Sequence, residues 1–254
     1  MSGMAFFRKE VTEIVRRKKA LIIAIVFAAF ALLGIGTALL TPKILDMVAE
    51  EMATQGIVMV PKDVTAMDAW MQFFKNIDIP LIVMVLMWAG CFTEEYRRHT
   101  LVPLVTKGLK RTDIFLSKVG ALLCVWTAGY GLYFLLSYGY TLYYWSDRVP
   151  HIIPAVLLEW AFGIWIIGLW AFFSSIASGS FQVLLGVGGV YFLCTFLTII
   201  PKTEKYLPIR LSSGLSLLEE KLAIGDFVIP LCVAGVCFAL CIAGGLACIQ
   251  KKSI

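Results

Sequence analysis

Six apolar runs, each close to the length of a membrane-spanning helix, dominate this 254-residue chain. A helix needs about 20 residues to cross the hydrocarbon core of a bilayer. The predicted spans cover residues 20–40, 77–93, 119–144, 152–175, 181–200 and 227–249. These runs lack the period-two alternation of a barrel strand, so we expect helices. Because 60% of the residues are hydrophobic and only 15% are charged, the chain has too little polar surface for a water-soluble domain. The sequence therefore predicts an all-α integral membrane protein, built as one transmembrane domain over residues 1–254.

Lysine and arginine are distributed unevenly between the two sides of the predicted bundle. Six lie in the first 19 residues, six lie between residues 97 and 118, and two lie at the C-terminus, whereas eight lie on the other side. Cytoplasmic loops of membrane proteins carry the excess of positive charge. The distribution predicts that both termini are cytoplasmic.

Residues 1–19 are too polar to span a membrane, yet they carry an apolar stripe. Phe7, Val11, Ile14 and Val15 follow one another at helical spacing, opposite the basic residues. A helix of this kind lies in the membrane interface. We therefore predict an N-terminal amphipathic interfacial helix before the first span.

Two segments on the extracellular side carry helix-capping signals. Thr65 is followed by Asp68, and Ser216 is followed by Glu219, which is the spacing of a capping box. We predict short helices at both places, and a structured extracellular loop over residues 201–226.

Few residues suit catalysis or the binding of a cofactor. The chain lacks the G-x-x-x-x-G-K-[ST] phosphate loop and has only two histidines, His99 and His151. The seven cysteines lie in apolar runs without a C-x-x-C pair, which indicates packing residues and no disulfide framework or zinc site. Glu94-Glu95 is similar to the EExxxR signature of intramembrane glutamic proteases, but His99 stands where that signature needs arginine. We expect no catalytic residue, cofactor, metal or nucleic-acid partner for this chain.

Glu159 is the one acidic residue well inside a predicted span. It lies seven residues into the fourth helix, about 10 Å from the outer end at 1.5 Å per residue. A charge inside the membrane is costly and often functional. Two interpretations stay open: a functional carboxylate, or one that is hydrated near the interface or paired with Arg148.

The loop after the second span is basic at both ends and apolar between them. It reads TEEYRRHTLVPLVTKGLKRTDIFLSK from Thr93 to Lys118. This stretch resembles the loop between spans two and three of ABC-2-type permeases, the membrane subunits of a class of ABC exporters. Two positions depart from the family pattern: His99 replaces a glycine, and Gly108 stands where proline is common.

The resemblance implies an all-α fold of the type V exporter class, in a bacterial plasma membrane, with a cytoplasmic coupling loop over residues 94–118. In that family the loop docks onto an ATPase subunit. The residues carried over to this role are Glu94, Glu95, Arg97, Arg98, Leu101, Leu104, Leu109, Lys110 and Arg111. Two ATPase copies would bind ATP and Mg²⁺. A second permease copy would complete the path, and the resemblance favours a homodimer over a heterodimer.

Three classes of function follow from these observations. An ATP-driven permease fits the docking loop, and the nearly uncharged spans favour a hydrophobic or amphipathic cargo such as a peptide toxin, an antibiotic or a lipid-like compound. A stand-alone secondary carrier needs paired ionisable groups or broken helices near the midplane, and the sequence reveals neither. An intramembrane enzyme needs polar groups at membrane depth, and only Glu159 qualifies.

Overall fold

The computed structural model describes residues 3–53, 64–93 and 108–251, and their regular structure is helical throughout. The long helices are α1 (Gly3–Arg16), α2 (Lys19–Ala53), α3 (Ala66–Asn76), α4 (Asp78–Trp88), α5 (Arg111–Tyr144), α6 (Ile152–Ile176), α7 (Ser180–Leu197) and α10 (Val228–Lys251). Two short helices, α8 (Pro201–Glu204) and α9 (Gly214–Leu218), lie between α7 and α10. Six helical segments of these described residues are long and apolar enough to cross a membrane, which confirms the predicted number of spans. The chain is a multi-pass membrane protein.

The second span is longer than the sequence predicts and its helical hydrogen bonding is interrupted in the middle. It runs from Ala66 to Trp88, whereas the hydropathy pattern suggests a start at residue 77. The interruption lies at Ile77, between α3 and α4, where the backbone keeps helical dihedral angles (φ −67°, ψ −28°). Pro80 explains it, because proline has no N–H to donate to the carbonyl four residues earlier. The start was missed because α3 buries Trp70, Phe73 and Phe74 on one side and carries polar residues on the other.

Helix α6 is the centre of the bundle. It packs against α10, α7 and α5, and 56% of its most apolar stretch is buried. By contrast, only 17% of the corresponding stretch is buried in α7 and in α10. These two helices therefore present apolar faces outward, to lipid or to another membrane protein.

All basic residues near the N-terminus gather at one end of the bundle, named here the basic end. It comprises α1, the starts of α2, α5 and α7, and the ends of α4 and α10. Cross-contacts hold these pieces together: Lys19 Nζ donates to the Met87 carbonyl at 3.3 Å, and Arg111 donates to the carbonyls of Ile249 and Gln250, both at 3.4 Å. The opposite end, named the far end, carries α3, α8, α9 and the start of α6.

The far end is covered by short helical turns between α7 and α10. A 3-10 turn at Pro208–Ser212 and α9 both pack against α6. The predicted capping signal at Ser216 is wrong, because α9 already begins at Gly214 and Ser216 lies inside it. The signal at Thr65 is correct: the Asp68 carboxylate accepts from the Thr65 backbone N–H at 2.9 Å, at the start of α3.

Helix α1 turns a different face inward from the one that its apolar stripe suggests. Phe6, Glu10 and Ile14 are buried, at positions i, i+4 and i+8, whereas Val11 and Val15 are exposed. The buried face packs against α5. The centre of this buried face is therefore the carboxylate side chain of Glu10.

Candidate functional site

The predicted docking loop falls only partly within the described residues. Six of its residues lie outside them: Glu94, Glu95, Arg97, Arg98, Leu101 and Leu104. Of the other three, Lys110 is exposed, Arg111 caps the C-terminal carbonyls of α10, and Leu109 is 2% exposed. Leu109 thus anchors the loop to the bundle and does not offer a free apolar surface. The loop also ends earlier than residue 118, because α5 begins at Arg111 and buries Ile114 and Phe115.

Gly108 explains one departure from the family pattern. Its φ is +86°, in the left-handed region where glycine is favoured. Proline is fixed near a φ of about −65° and is excluded from this conformation. The chain therefore returns to α5 through a glycine turn.

A buried ion pair joins α1 to α5 at the basic end. Lys118 Nζ lies 3.1 Å from Glu10 Oε2, and the two side chains are 1% and 7% exposed. The ammonium group also lies 3.5 Å from Cys91 Sγ and 5.6 Å from the centre of the Phe92 ring. Cys91 and Phe92 lie just before Thr93 and residues 94–107, and Lys118 lies in α5, after them. The residues that lead into the predicted docking segment thus contact a lysine of the helix that follows it.

The sequence could not pair Glu10 with Lys118, because 108 positions separate them. One signal was present: Glu10 lies between Phe6 and Ile14 on the same helical face, so a charge interrupts an apolar stripe. A charged residue at such a position predicts a partner on the neighbouring element.

Further contacts surround a cavity of about 460 Å³ at the basic end. It is lined by Lys9, Glu10 and Glu13 of α1, by Lys19 and Lys118, and by the end of α4. Lys19 lies 5.1 Å above the Trp88 ring, and Trp170 Nε1 donates to the Trp88 carbonyl at 3.2 Å. The Thr93 and Ser180 hydroxyls lie 3.5 Å apart. The end of α4 is therefore tied to α2, α6 and α7 at once.

A second charge cluster lies on the outer side of α1. Lys9 Nζ and Arg17 each lie 2.7 Å from a Glu13 carboxylate oxygen. Burial acts to raise the pKa of the Glu13 carboxyl, but the Lys9 hydrogen bond and the charges of Lys9, Arg17 and Lys118 outweigh it and lower that pKa. Burial acts to lower the pKa of Lys9, but its contacts with Glu13 and Glu10 raise it more.

These shifts predict a loss of α1 stability in acid. A carboxyl with a lowered pKa stabilises the fold above its unfolded pKa, about 4.3, and this contribution is lost as pH falls through the folded value. We expect hydrogen exchange of the α1 amides, corrected for intrinsic rates, to speed up in that acidic range. In the Glu13→Gln variant, the α1 amides should exchange faster already at neutral pH, and their exchange rates should vary less with pH. Identical profiles for the two proteins would contradict the prediction.

Glu159 is more deeply buried than either interpretation of the sequence assumed. Its side chain is at most 1% exposed, and no described residue forms an ion pair with it, Arg148 included. Its Oε2 atom has no hydrogen-bond partner among the described residues. Nearby Tyr130 and Tyr133 donate their hydroxyl protons elsewhere, to the carbonyls of Val156 and Phe73 at 2.7 and 2.9 Å.

An open groove runs beside Glu159, between α4, α6 and α7. Its volume is about 380 Å³ and its walls are almost entirely apolar. Asp78 and Tyr191 line it toward the far end, whereas Leu86 and Leu184 line it toward the basic end. Glu159 lies on the α6 face that presents Phe162 and Ile166 to the groove, at positions i, i+3 and i+7. Asp78 and Glu159 are close enough to interact electrostatically.

The sequence did not predict this juxtaposition. A second span that starts at residue 77 puts Asp78 at a helix N-terminus, where the helix dipole favours negative charge. The span instead begins at Ala66, so Asp78 lies inside it. Among the described residues, no three His, Cys, Asp or Glu side chains gather as metal ligands.

Comparison with known proteins adds no relative: no protein-family model, no curated protein and no solved structure matches this chain. Function is therefore inferred from residues and geometry.

Proposed function

We propose that this protein is the permease subunit of an ATP-driven exporter for a hydrophobic or amphipathic cargo. One observation carries the proposal: both ends of residues 94–107 are tied to several helices at the basic end. Cys91, Phe92 and Thr93 contact Lys118 and Ser180 on one side, and Leu109 is buried on the other. A protein that pulled on this segment would move α4, α5 and α1 together.

The charge distribution supports a cytoplasmic position for the basic end. Its described residues include Arg8, Lys9, Arg16, Arg17, Lys18, Lys19, Lys110, Arg111 and Lys118. The excess of basic residues on one side predicts the cytoplasmic side of a membrane protein. An ATPase in the cytoplasm would then have access to residues 94–107, and α1 would lie along the inner leaflet.

In the proposed mechanism, ATP and Mg²⁺ bind to two partner ATPase subunits and not to this chain. Closure of the ATPases pulls on residues 94–107, and the spans shift between an inward-open and an outward-open state. The shift is limited by the difference in ATP affinity between the two states. The outward apolar faces of α7 and α10 offer a surface for a second copy of the chain.

A stand-alone secondary carrier is the second candidate, and a specific observation favours it. Asp78, inside the second span, lies near the buried Glu159 of α6. Paired ionisable groups within the spans are typical of ion-coupled carriers.

Transport into inverted membrane vesicles distinguishes the two functions. We would load vesicles from host cells with or without the chain, using a fluorescent cationic amphipathic peptide as the probe. An ATP-driven exporter accumulates the peptide only with hydrolysable ATP, and a protonophore does not abolish accumulation. Peptide uptake that needs no ATP and is abolished by the protonophore would contradict the exporter and favour the secondary carrier.

A further inference from the structure

The groove between α4, α6 and α7 combines an apolar wall with an acidic end. Leu81, Ile82, Val85 and Val187 are among its apolar lining residues, and Asp78 is the one charged residue among the described residues that line it. Its volume of about 380 Å³ is within the range of small-molecule pockets, roughly 300–1,000 Å³. The space is sufficient for one alkyl chain or one bulky side chain, and too small for a folded peptide.

The acidic end of this groove has no positive counterpart in the described part of the chain. Neither Asp78 nor Glu159 forms an ion pair or a side-chain hydrogen bond with a described residue. The N-terminus of α4 favours a negative charge at Asp78, but it offers nothing to Glu159, which lies on a different helix. Two carboxyl groups in a low-dielectric site raise the cost of each other's charge, and a cation in the groove beside Asp78 would lower it.

We propose that this groove binds the cationic amine of an amphipathic molecule, with Asp78 as its direct partner and Glu159 behind it. The alkyl or aromatic portion lies along Leu81, Val85 and Val187, toward the basic end. Tyr191 stands at the acidic end and contacts Phe162, with ring centres 6.3 Å apart, so it closes one side of the amine position. An anionic headgroup is disfavoured by both carboxyl groups, and a neutral lipid leaves them unpaired.

The role of this molecule as cargo rests on the proposed export function, whereas its binding does not. The lining residues Ile82 and Leu86 of α4 are exposed, whereas Phe162 of α6 is buried, so the molecule would enter from the lipid side. Binding can therefore be measured on the full chain alone, without an ATPase.

Gly188 provides a position from which a larger side chain would fill the groove. A β-carbon at Gly188 would meet no atom within 4 Å, and this residue lines the groove. Gly189 is the matched control: it also has open space around it, but it lines a different surface on α7, beside Phe192 and Phe196. Leucine at either position adds the same volume to the same helix.

The experiment uses the full chain in nanodiscs of zwitterionic lipid, with a dansyl-labelled dodecylamine and the dansyl-labelled alcohol of equal length as probes. We expect the amine to bind at least about tenfold more tightly than the alcohol, a difference of about 1.4 kcal/mol. Asp78→Asn should remove most of that preference, and Glu159→Gln should reduce it. Gly188→Leu should weaken the binding of both probes, whereas Gly189→Leu should leave both affinities unchanged.

Three results would overturn the proposal: equal affinity for amine and alcohol, an unchanged preference in Asp78→Asn, or equal losses in Gly188→Leu and Gly189→Leu. Failure of this binding proposal can be distinguished from failure of the proposed export function. If an ATPase docks on residues 94–107 but the amine shows no preference, the cargo class is wrong and the exporter stands. If the amine binds as expected but no ATPase docks, the groove belongs to a carrier.

Discussion

The Lys118→Met variant is expected to lose about 3–5 kcal/mol of unfolding free energy, because it removes the buried partner of the buried Glu10 carboxylate. The Glu10 side chain is only 7% exposed, and Lys118 Nζ lies 3.1 Å from it. Lys9 also contacts Glu10 at 3.1 Å, but its own side chain is 43% exposed and serves Glu13 as well. Lys9 therefore compensates only in part for the loss of the Lys118 ammonium group. The measurement is thermal unfolding of the purified chain in mild detergent, followed by the loss of the monodisperse gel-filtration peak after heating.

Two control variants make this prediction specific to the buried pair. Lys9→Met should cost less than about 1 kcal/mol, because exposed ion pairs contribute little. The double variant Glu10→Met with Lys118→Met should be more stable than Lys118→Met alone, since no charge is left without a partner. A Lys118→Met variant that unfolds at the temperature of the unmodified chain would contradict the buried pair.

The Gly163→Ala variant is expected to destabilise the bundle by about 1–3 kcal/mol or more, the cost of overpacking a tight core. A β-carbon at Gly163 would overlap the Trp126 ring, which is fully buried between α5 and α6. The ring cannot move aside freely, because Trp126 Nε1 donates to the Trp160 carbonyl at 3.1 Å and the ring packs against Phe27. The same thermal measurement reports the effect.

Gly131→Ala is the matched control for this prediction. It lies in the middle of α5, and a β-carbon there would meet no atom within 4 Å. Alanine is favoured over glycine inside a helix by about 0.8–1.0 kcal/mol, so this variant should be unchanged or slightly more stable. Equal melting temperatures for the two alanine variants would mean that α5 and α6 do not approach each other closely at Gly163.

The six spans were predictable because the bilayer sets their length and their apolar composition. Hydropathy does not locate the ends of a span correctly where part of the span is amphipathic and buries only one side. Helix α3 illustrates this failure: Gln72, Lys75 and Asn76 lower its mean hydropathy, yet its other side buries Trp70. Helix α2 shows a smaller error of the same kind, since it continues past residue 40 to Ala53.

The candidate sites were less predictable, because they depend on contacts between distant parts of the chain. Glu159 stood out in the sequence as a charge inside a span, but its proximity to Asp78 depends on the packing of α4 against α6. Leu109 was grouped with the apolar residues of a docking surface, and the fold instead buries it. Composition identifies a residue as apolar, but only packing shows which neighbour covers it.

Capture of a partner ATPase from host membranes tests the exporter most directly. The tagged chain is purified in mild detergent, and bound proteins are identified by mass spectrometry. The test variant is Leu101→Asp with Leu104→Asp, because an aspartate at the buried Leu109 would disturb the fold itself. Arg148→Asp, on an exposed residue of the far end, is the control. We predict that an ATP-binding protein accompanies the unmodified chain and Arg148→Asp, and is lost from the double variant. Absence of any ATP-binding protein, or equal capture by all three chains, would contradict the coupling role of residues 94–107.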